Sequence, residues 1–145
     1  MTLFEFGSGN STRFWSKHVA SVISCEHDLE WYEKTRQTLP ANVKLIHREL
    51  ASGNYPTAIH EFDQQFDIII IDGRERVACM KQSVQKLTPD GIIVLDNSKR
   101  ERYEEGVDFL HSHGFRQIDF YGMAPISIYP SCTSIFYRPN NCLNI

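Results

Sequence analysis

The chain has 145 residues, of which 41% are hydrophobic and 23% charged, with a formal net charge of -3. That is one domain's worth of globular core and excludes a disordered or fibrous chain. No Lys/Arg-rich block, no apolar run longer than Ile68-Ile69-Ile70-Ile71 and no basic-then-apolar leader stand out, so neither a nucleic-acid nor a membrane partner is expected, and the expected location is cytoplasmic.

In chain order, Leu3 to Phe6 reads as a short strand that stops at Gly7. Phe14, Trp15, His18 and Val19 fit one helical face. Val22 to Cys25 is a second strand and ends in Glu26. Asp28 suits the N-cap of a helix with Leu29, Tyr32 and Leu39 on its apolar face, closed by Pro40. Val43 to Ile46 is a third strand, followed by a looser stretch with room for a short helix near Thr57 to Glu61. Phe66 to Ile71 is apolar without alternation, as in a strand covered on both faces. Val77, Met80, Val84 and Leu87 mark a helix, and Thr88-Pro89-Asp90-Gly91 reads as a turn. Ile92 to Leu95 is a buried strand ending at Asp96-Asn97. Ser98 to Glu101 has the form of a capping box for a helix carried by Tyr103, Val107 and Leu110 and stopped by Gly114. Gln117 to Tyr121 and Thr133 to Tyr137 are the last strands.

About five β-α units and a closing strand pair predict a doubly wound α/β sheet in a core of residues 1–138, with 139–145 as a loose tail. Cys25, Cys79, Cys132 and Cys142 form no C-x-x-C pair and are expected to be reduced. His111-Ser112-His113 lacks flanking ligands at zinc spacing and reads as a helix C-terminus.

In open α/β sheets ligands bind outside the carboxyl ends of the strands, which here carry Gly7-Ser8-Gly9, Glu26, Asp72 and Asp96-Asn97. Gly7 and Gly9 let a ligand approach backbone, and the helix opening near Ser11 directs free N–H groups at it. Glu26 stands where an acid can hold both ribose hydroxyls. NAD and S-adenosylmethionine (SAM) both fit this far. Three details separate them. Thr12 stands where the dinucleotide fingerprint has its third glycine. Glu5 would repel a pyrophosphate but attract an ammonium. The loop between the last two strands is too short for a crossover helix, so those strands should be antiparallel.

Glu5-Phe6-Gly7-Ser8-Gly9, the acid Glu26, Phe66 to Asp72 and Leu87-Thr88-Pro89-Asp90-Gly91-Ile92-Ile93-Val94 together resemble four motifs of the class I, Rossmann-like SAM-dependent methyltransferases, in order and over nearly the whole chain. The resemblance implies a mostly parallel seven-stranded sheet in order 3-2-1-4-5-7-6 with the last strand antiparallel. It implies that Gly7, Ser8, Gly9, Asn10 and Ser11 pass the methionine part of SAM, that Glu5 lies near its ammonium and that Glu26 binds ribose. His27 would flank the adenine and Glu49 or Leu50 would edge it. Asp72 would lie near the methyl group as the catalytic residue, and could also cap the following helix.

Asp72, Asp96 and Asn97 should emerge at one sheet edge, where three oxygen ligands suit Mg²⁺ or another divalent cation. That arrangement resembles the metal site of catechol and caffeoyl-CoA type O-methyltransferases. Their lysine base is replaced here by Gly73-Arg74-Glu75-Arg76. Met123, Pro125, Ile126, Tyr129 and Pro130 make the Gly122–Ser131 loop an apolar wall or lid of an acceptor pocket. The family's usual N-terminal covering helices are not seen before the first strand, so an open pocket, a shortened reading frame or a second subunit covering that side are the expectations, with Trp15 and Trp31 available to a contact. The leading reading is therefore methyl transfer to a small-molecule acceptor at oxygen or nitrogen. The alternatives are an NAD(P)-dependent oxidoreductase fragment and a non-catalytic interaction module on the same fold.

Overall fold

Among residues 1–123 and 130–145, which this computed structural model describes, seven strands alternate with four α-helices. The strands are β1 (Thr2–Phe6), β2 (Ser21–Glu26), β3 (Val43–His47), β4 (Phe66–Ile71), β5 (Leu87–Leu95), β6 (Arg116–Met123) and β7 (Pro130–Tyr137). The helices are α1 (Asn10–Trp15), α2 (Leu29–Thr35), α3 (Arg76–Ser83) and α4 (Glu104–Ser112). The sheet has the order β3-β2-β1-β4-β5-β7-β6, as the motifs implied. β1 to β5 run parallel, and β7 is antiparallel to β5 and β6.

Successive side chains of a strand point to opposite faces, and both faces of the central strands are buried. Phe4, Phe6, Ile69, Ile71, Ile93 and Leu95 join the larger cluster, which also takes in Cys79, Met80 and Leu110 from α3 and α4. Leu3, Ile68, Ile70 and Ile92 join the smaller cluster on the other face with Val19 and Val22. Phe4 meets Phe6 and Phe66 edge to face, with ring centres 4.8 and 5.3 Å apart. Removing such a ring would cost about 3–5 kcal/mol.

Several local expectations change. α1 stops at Trp15, and the chain turns through Lys17 and Val19 to reach β2, which leaves Phe14 and His18 exposed rather than on a buried face. Leu29 is exposed at the start of α2, while Asp28 caps that helix as expected, its Oδ1 accepting the Trp31 N–H at 2.8 Å. Thr88-Pro89-Asp90-Gly91 does not separate a helix from a strand but lies inside β5. Phe66 faces Leu87 and Ile68 faces Ile92, so extra residues bulge from β5 around Pro89, which has no N–H for the ladder. Ser98 is not a helix cap. It is buried, its N–H donates to the Cys132 carbonyl at 2.9 Å, and its Oγ accepts from Ser134 at 2.6 Å. α4 instead opens through a 3₁₀ turn at Glu101–Tyr103. The C-terminal residues fold back on the β5 bulge, where the Cys142 N–H donates to the Asp90 carbonyl at 2.7 Å and Asn141 is buried. The four cysteines are unpaired. No helix among the described residues is long and apolar enough to cross a membrane.

Candidate functional site

The chain leaves β1 at Gly7, whose φ of 95° lies in the left-handed region that favours glycine. A Cβ there would also come within 3.0 Å of the Gly73 nitrogen, so the loops after β1 and β4 touch backbone to backbone. Beneath the loop lies Glu5, 0% exposed. Its carboxylate accepts from Ser11 Oγ and Thr12 Oγ1, both at 2.5 Å, and from Ser24 Oγ at 3.0 Å. Thr12 Oγ1 in turn accepts the Gly9 N–H at 3.0 Å. Burial raises the Glu5 pKa, and the three hydroxyl donors oppose that rise. Glu5 is an internal tie that shapes the loop, and Ser11 stands between it and the ligand edge.

Glu26 ends β2 at the same edge and is 3% exposed. One carboxylate oxygen accepts the Ser8 N–H at 3.0 Å and the Ser8 hydroxyl at 2.7 Å. The other accepts the N–H groups of His27 and Asp28 at 2.8 and 3.0 Å. The His27 Nδ1 lies 2.9 Å from that oxygen but makes no aligned hydrogen bond to it. Trp31, one turn into α2, donates its indole N–H to the Ser8 carbonyl at 2.8 Å. Glu26 and Trp31 thus grip Ser8 from two sides.

The third part of the site is an ionic group. Arg76, at the start of α3, is 8% exposed. Its guanidinium donates to the Asp72 carboxylate at 3.0 Å and to the Asp72 and Gly73 carbonyls, each at 2.9 Å. It also donates to the Asp96 carbonyl and lies 3.5 Å from the Asp96 carboxylate. Its plane rests 5.4 Å from the Tyr103 ring centre. The Asp72 side chain is 46% exposed and that of Asp96 31%. Loss of hydration, then the nearby Asp96 carboxylate, raise the Asp72 pKa to about 6, while Arg76 pulls it back.

This geometry corrects the metal expectation. Asp72 and Asp96 do come together, but the Arg76 guanidinium holds both. Asn97 takes a φ of 50° and turns its amide to Ser131 Oγ at 2.7 Å. Three oxygen ligands therefore do not converge, and among the described residues no cluster of His, Cys, Asp and Glu could hold an ion. A buried guanidinium already pairs with Asp72 and lies beside Asp96, offsetting one of their two charges, and with Asn97 turned away the donor set does not fit Mg²⁺.

Gly7, Ser8, Ser11, Glu26, His27 and Asp72 line one pocket of about 410 Å³ at the carboxyl ends of β1, β2 and β4. Gly9 and Asn10 lie at the start of α1 and do not line it. Glu49 is exposed after β3, and Leu50 packs against the larger core. The sequence reading missed Asp28, Trp31, Gly73, Arg74 and Arg76 on the pocket wall. The spacing Asp72 to Arg76, four residues across a helix start, was the available signal for the last. A second cavity of about 620 Å³ adjoins the first, and Gly73, Arg74 and Arg76 line both. Of the expected lid, Met123 and Pro130 are exposed, whereas Pro125, Ile126 and Tyr129 lie outside the described residues.

A family model described as a methyltransferase domain matches residues 4–98. No curated protein matches the sequence. Among solved structures, an O-methyltransferase from Bacillus cereus in complex with S-adenosylhomocysteine (SAH) superposes with a TM-score of 0.74 at 14% identity, covering 94% of this chain and 74% of that one. An rRNA methylase from Streptococcus thermophilus gives 0.73 at 13% identity, covering 94% and 86%. Spermidine synthase from Thermotoga maritima gives 0.73 at 13% identity, covering 97% of this chain, which spans about half of that protein's length, 53%. At these identities the likeness is one of fold, and it extends through the antiparallel β7 that an NAD-binding sheet leaves unexplained. The chain belongs to the methyltransferase domain family.

Proposed function

We propose that this chain transfers a methyl group from SAM to a small-molecule acceptor, at oxygen or nitrogen. The observation that carries the reading is the pocket between the glycine loop, Glu26 and Asp72 at the carboxyl ends of three adjacent strands. Its donor set fits the cofactor. Glu26, Asp28 and Asp72 line it together with Arg74 and Arg76, a mixed field that suits a ligand bearing an ammonium and a sulfonium beside one carboxylate. A pyrophosphate would meet three carboxylates there. Glu26 would hold the ribose hydroxyls, which can take the place of the Ser8 hydroxyl as donors. Ser8 and Ser11 would hold the methionine end, and His27 would flank the adenine.

When bound, SAM supplies a methyl carbon already made electrophilic by its sulfonium. What remains for the protein is to align an acceptor and remove its proton. Asp72 lines the first cavity, next in the chain to Gly73 of the wall that the two cavities share, and is held by Arg76; its raised pKa brings it nearer to the basicity useful for accepting a proton.

Thermal-shift and calorimetric titration with SAH and with NAD test the reading. SAH should raise the melting temperature and NAD should not, with EDTA leaving the SAH response unchanged. A shift with NAD alone, or with neither, would refute it.

A further inference from the structure

We infer that the second cavity receives the acceptor, and that the acceptor is a small oxyanion, a carboxylate or phosphate ester carried on an apolar body. The inference rests on the SAM reading only for the direction from which the methyl group arrives. The cavity, about 620 Å³, lies within the range of small-molecule sites. Arg74, Arg76, Lys81, Arg100 and Arg102 line it against one carboxylate, Glu75. This is a local reversal of charge in a chain whose net charge is -3.

Two of those cations are committed. Arg76 is balanced by Asp72 and Asp96, and Lys81 bonds Glu105 at 2.5 Å. Among the described residues, Arg74, Arg100 and Arg102 make no ion pair. Arg102 is also placed in advance, its guanidinium 4.9 Å from the centre of the buried Tyr103 ring. Stacking of this kind leaves the edge of the fork free for a bidentate oxyanion. Tyr103, Val77 and Ala78 supply the apolar floor. The first turn of α3 carries no side-chain cap, so its N–H groups add to the positive end. A neutral or cationic acceptor that displaced water from this cleft would leave the arginines uncompensated. Because Gly73, Arg74 and Arg76 line both cavities, an acceptor held by its anionic end in the cleft can present its other end beside Asp72.

The test is calorimetry on the whole chain with phenyl phosphate, benzoate, phenol and a short RNA oligonucleotide, with and without SAH, on the wild type and on Arg100→Gln/Arg102→Gln. Both arginines are exposed, and far-UV circular dichroism checks that the variant folds. The inference predicts that phenyl phosphate or benzoate binds at least about tenfold tighter than phenol, and that the double variant loses about tenfold or more in anion affinity while SAH affinity stays within about twofold. The preferred anion separates carboxylate from phosphate recognition. Equal binding of phenol, unchanged anion affinity in the variant, or no anion binding at about 10 mM would overturn it. Binding of RNA alone would overturn it in favour of a polymer. Failure of SAH to bind while the anions still do would refute the SAM reading and leave the cleft assignment standing.

Discussion

Replacing Arg76 by methionine keeps much of the side chain's volume and removes its charge and fork. The guanidinium holds three backbone carbonyls and the Asp72 carboxylate, and lies within reach of Asp96. Taking one partner from a fully buried pair costs about 3–5 kcal/mol. Water reaches both acids here, since Asp72 is 46% and Asp96 31% exposed, so the lower end applies, about 3 kcal/mol. For a chain of this size that is roughly a 10 °C fall in melting temperature. The loss should also depend on pH. Arg76 lowers the Asp72 pKa, so without it the carboxyl, already raised by dehydration and by Asp96, rises further. A carboxyl whose folded pKa exceeds its unfolded value favours the fold at low pH and loses that contribution as pH rises through the folded pKa. The variant should thus be penalised more at pH 8 than at pH 5. Urea unfolding at both pH values measures this, with Arg76→Lys, which keeps the charge without the fork, falling between. A loss under about 1 kcal/mol at pH 8, or one that does not change with pH, would refute the account of Arg76 as the buried counter-charge.

Three further outcomes follow from the geometry. Glu26→Ala should weaken SAH binding by about 1.5–3 kcal/mol in calorimetry, through lost hydrogen bonds to charge and a loosened Ser8; unchanged affinity would remove Glu26 from the site. Gly73→Ala would put a Cβ 2.0 Å from the Tyr55 hydroxyl and should cost about 1–3 kcal/mol in chemical denaturation. Adding Tyr55→Phe, which removes a buried hydroxyl lacking a well-formed hydrogen bond, should recover part of that loss, and no recovery would place the strain elsewhere. With Asp72 as proton acceptor, the rate at low acceptor concentration should climb with pH up to about 6 and level off above it. The Asp72→Asn variant should be slow and lack that inflection, and an unaltered profile would count against Asp72.

The sheet was legible because its central strands are apolar on both faces and its helices intervene in regular order. Local errors came from residues whose chemistry serves two structures equally well. Thr88-Pro89-Asp90-Gly91 has turn composition, yet Pro89 and its neighbours also suit a bulge, and only the partner strand decides between them. Ser98 followed by Glu101 matched a capping box, but the serine bonds β7, more than thirty residues away. At the site, Glu5, Glu26 and Asp72 could be placed at strand ends from the pattern alone. What each one touches could not. The Arg76 to Asp96 bond spans twenty residues and a β-strand, and it turned an apparent metal triad into an ion pair.

The substitution at Thr12 shows why the loop works without a third glycine. In a dinucleotide loop that glycine lets the helix lie close on the strand. Here Thr12 is fully buried and uses its hydroxyl twice, accepting from the Gly9 N–H and donating to Glu5. Side-chain hydrogen bonds thus fix a turn that close packing fixes elsewhere. The close approach has moved to Gly7 and Gly73, where a Cβ on either would crowd the other's backbone at 3.0–3.1 Å. That contact draws the loop after β4 against the loop after β1. Asp72 and its Arg76 partner stand at the ligand edge because of it, and so does the mouth of the arginine cleft. The same residues that hold the cofactor loop in shape therefore set where an acceptor can approach.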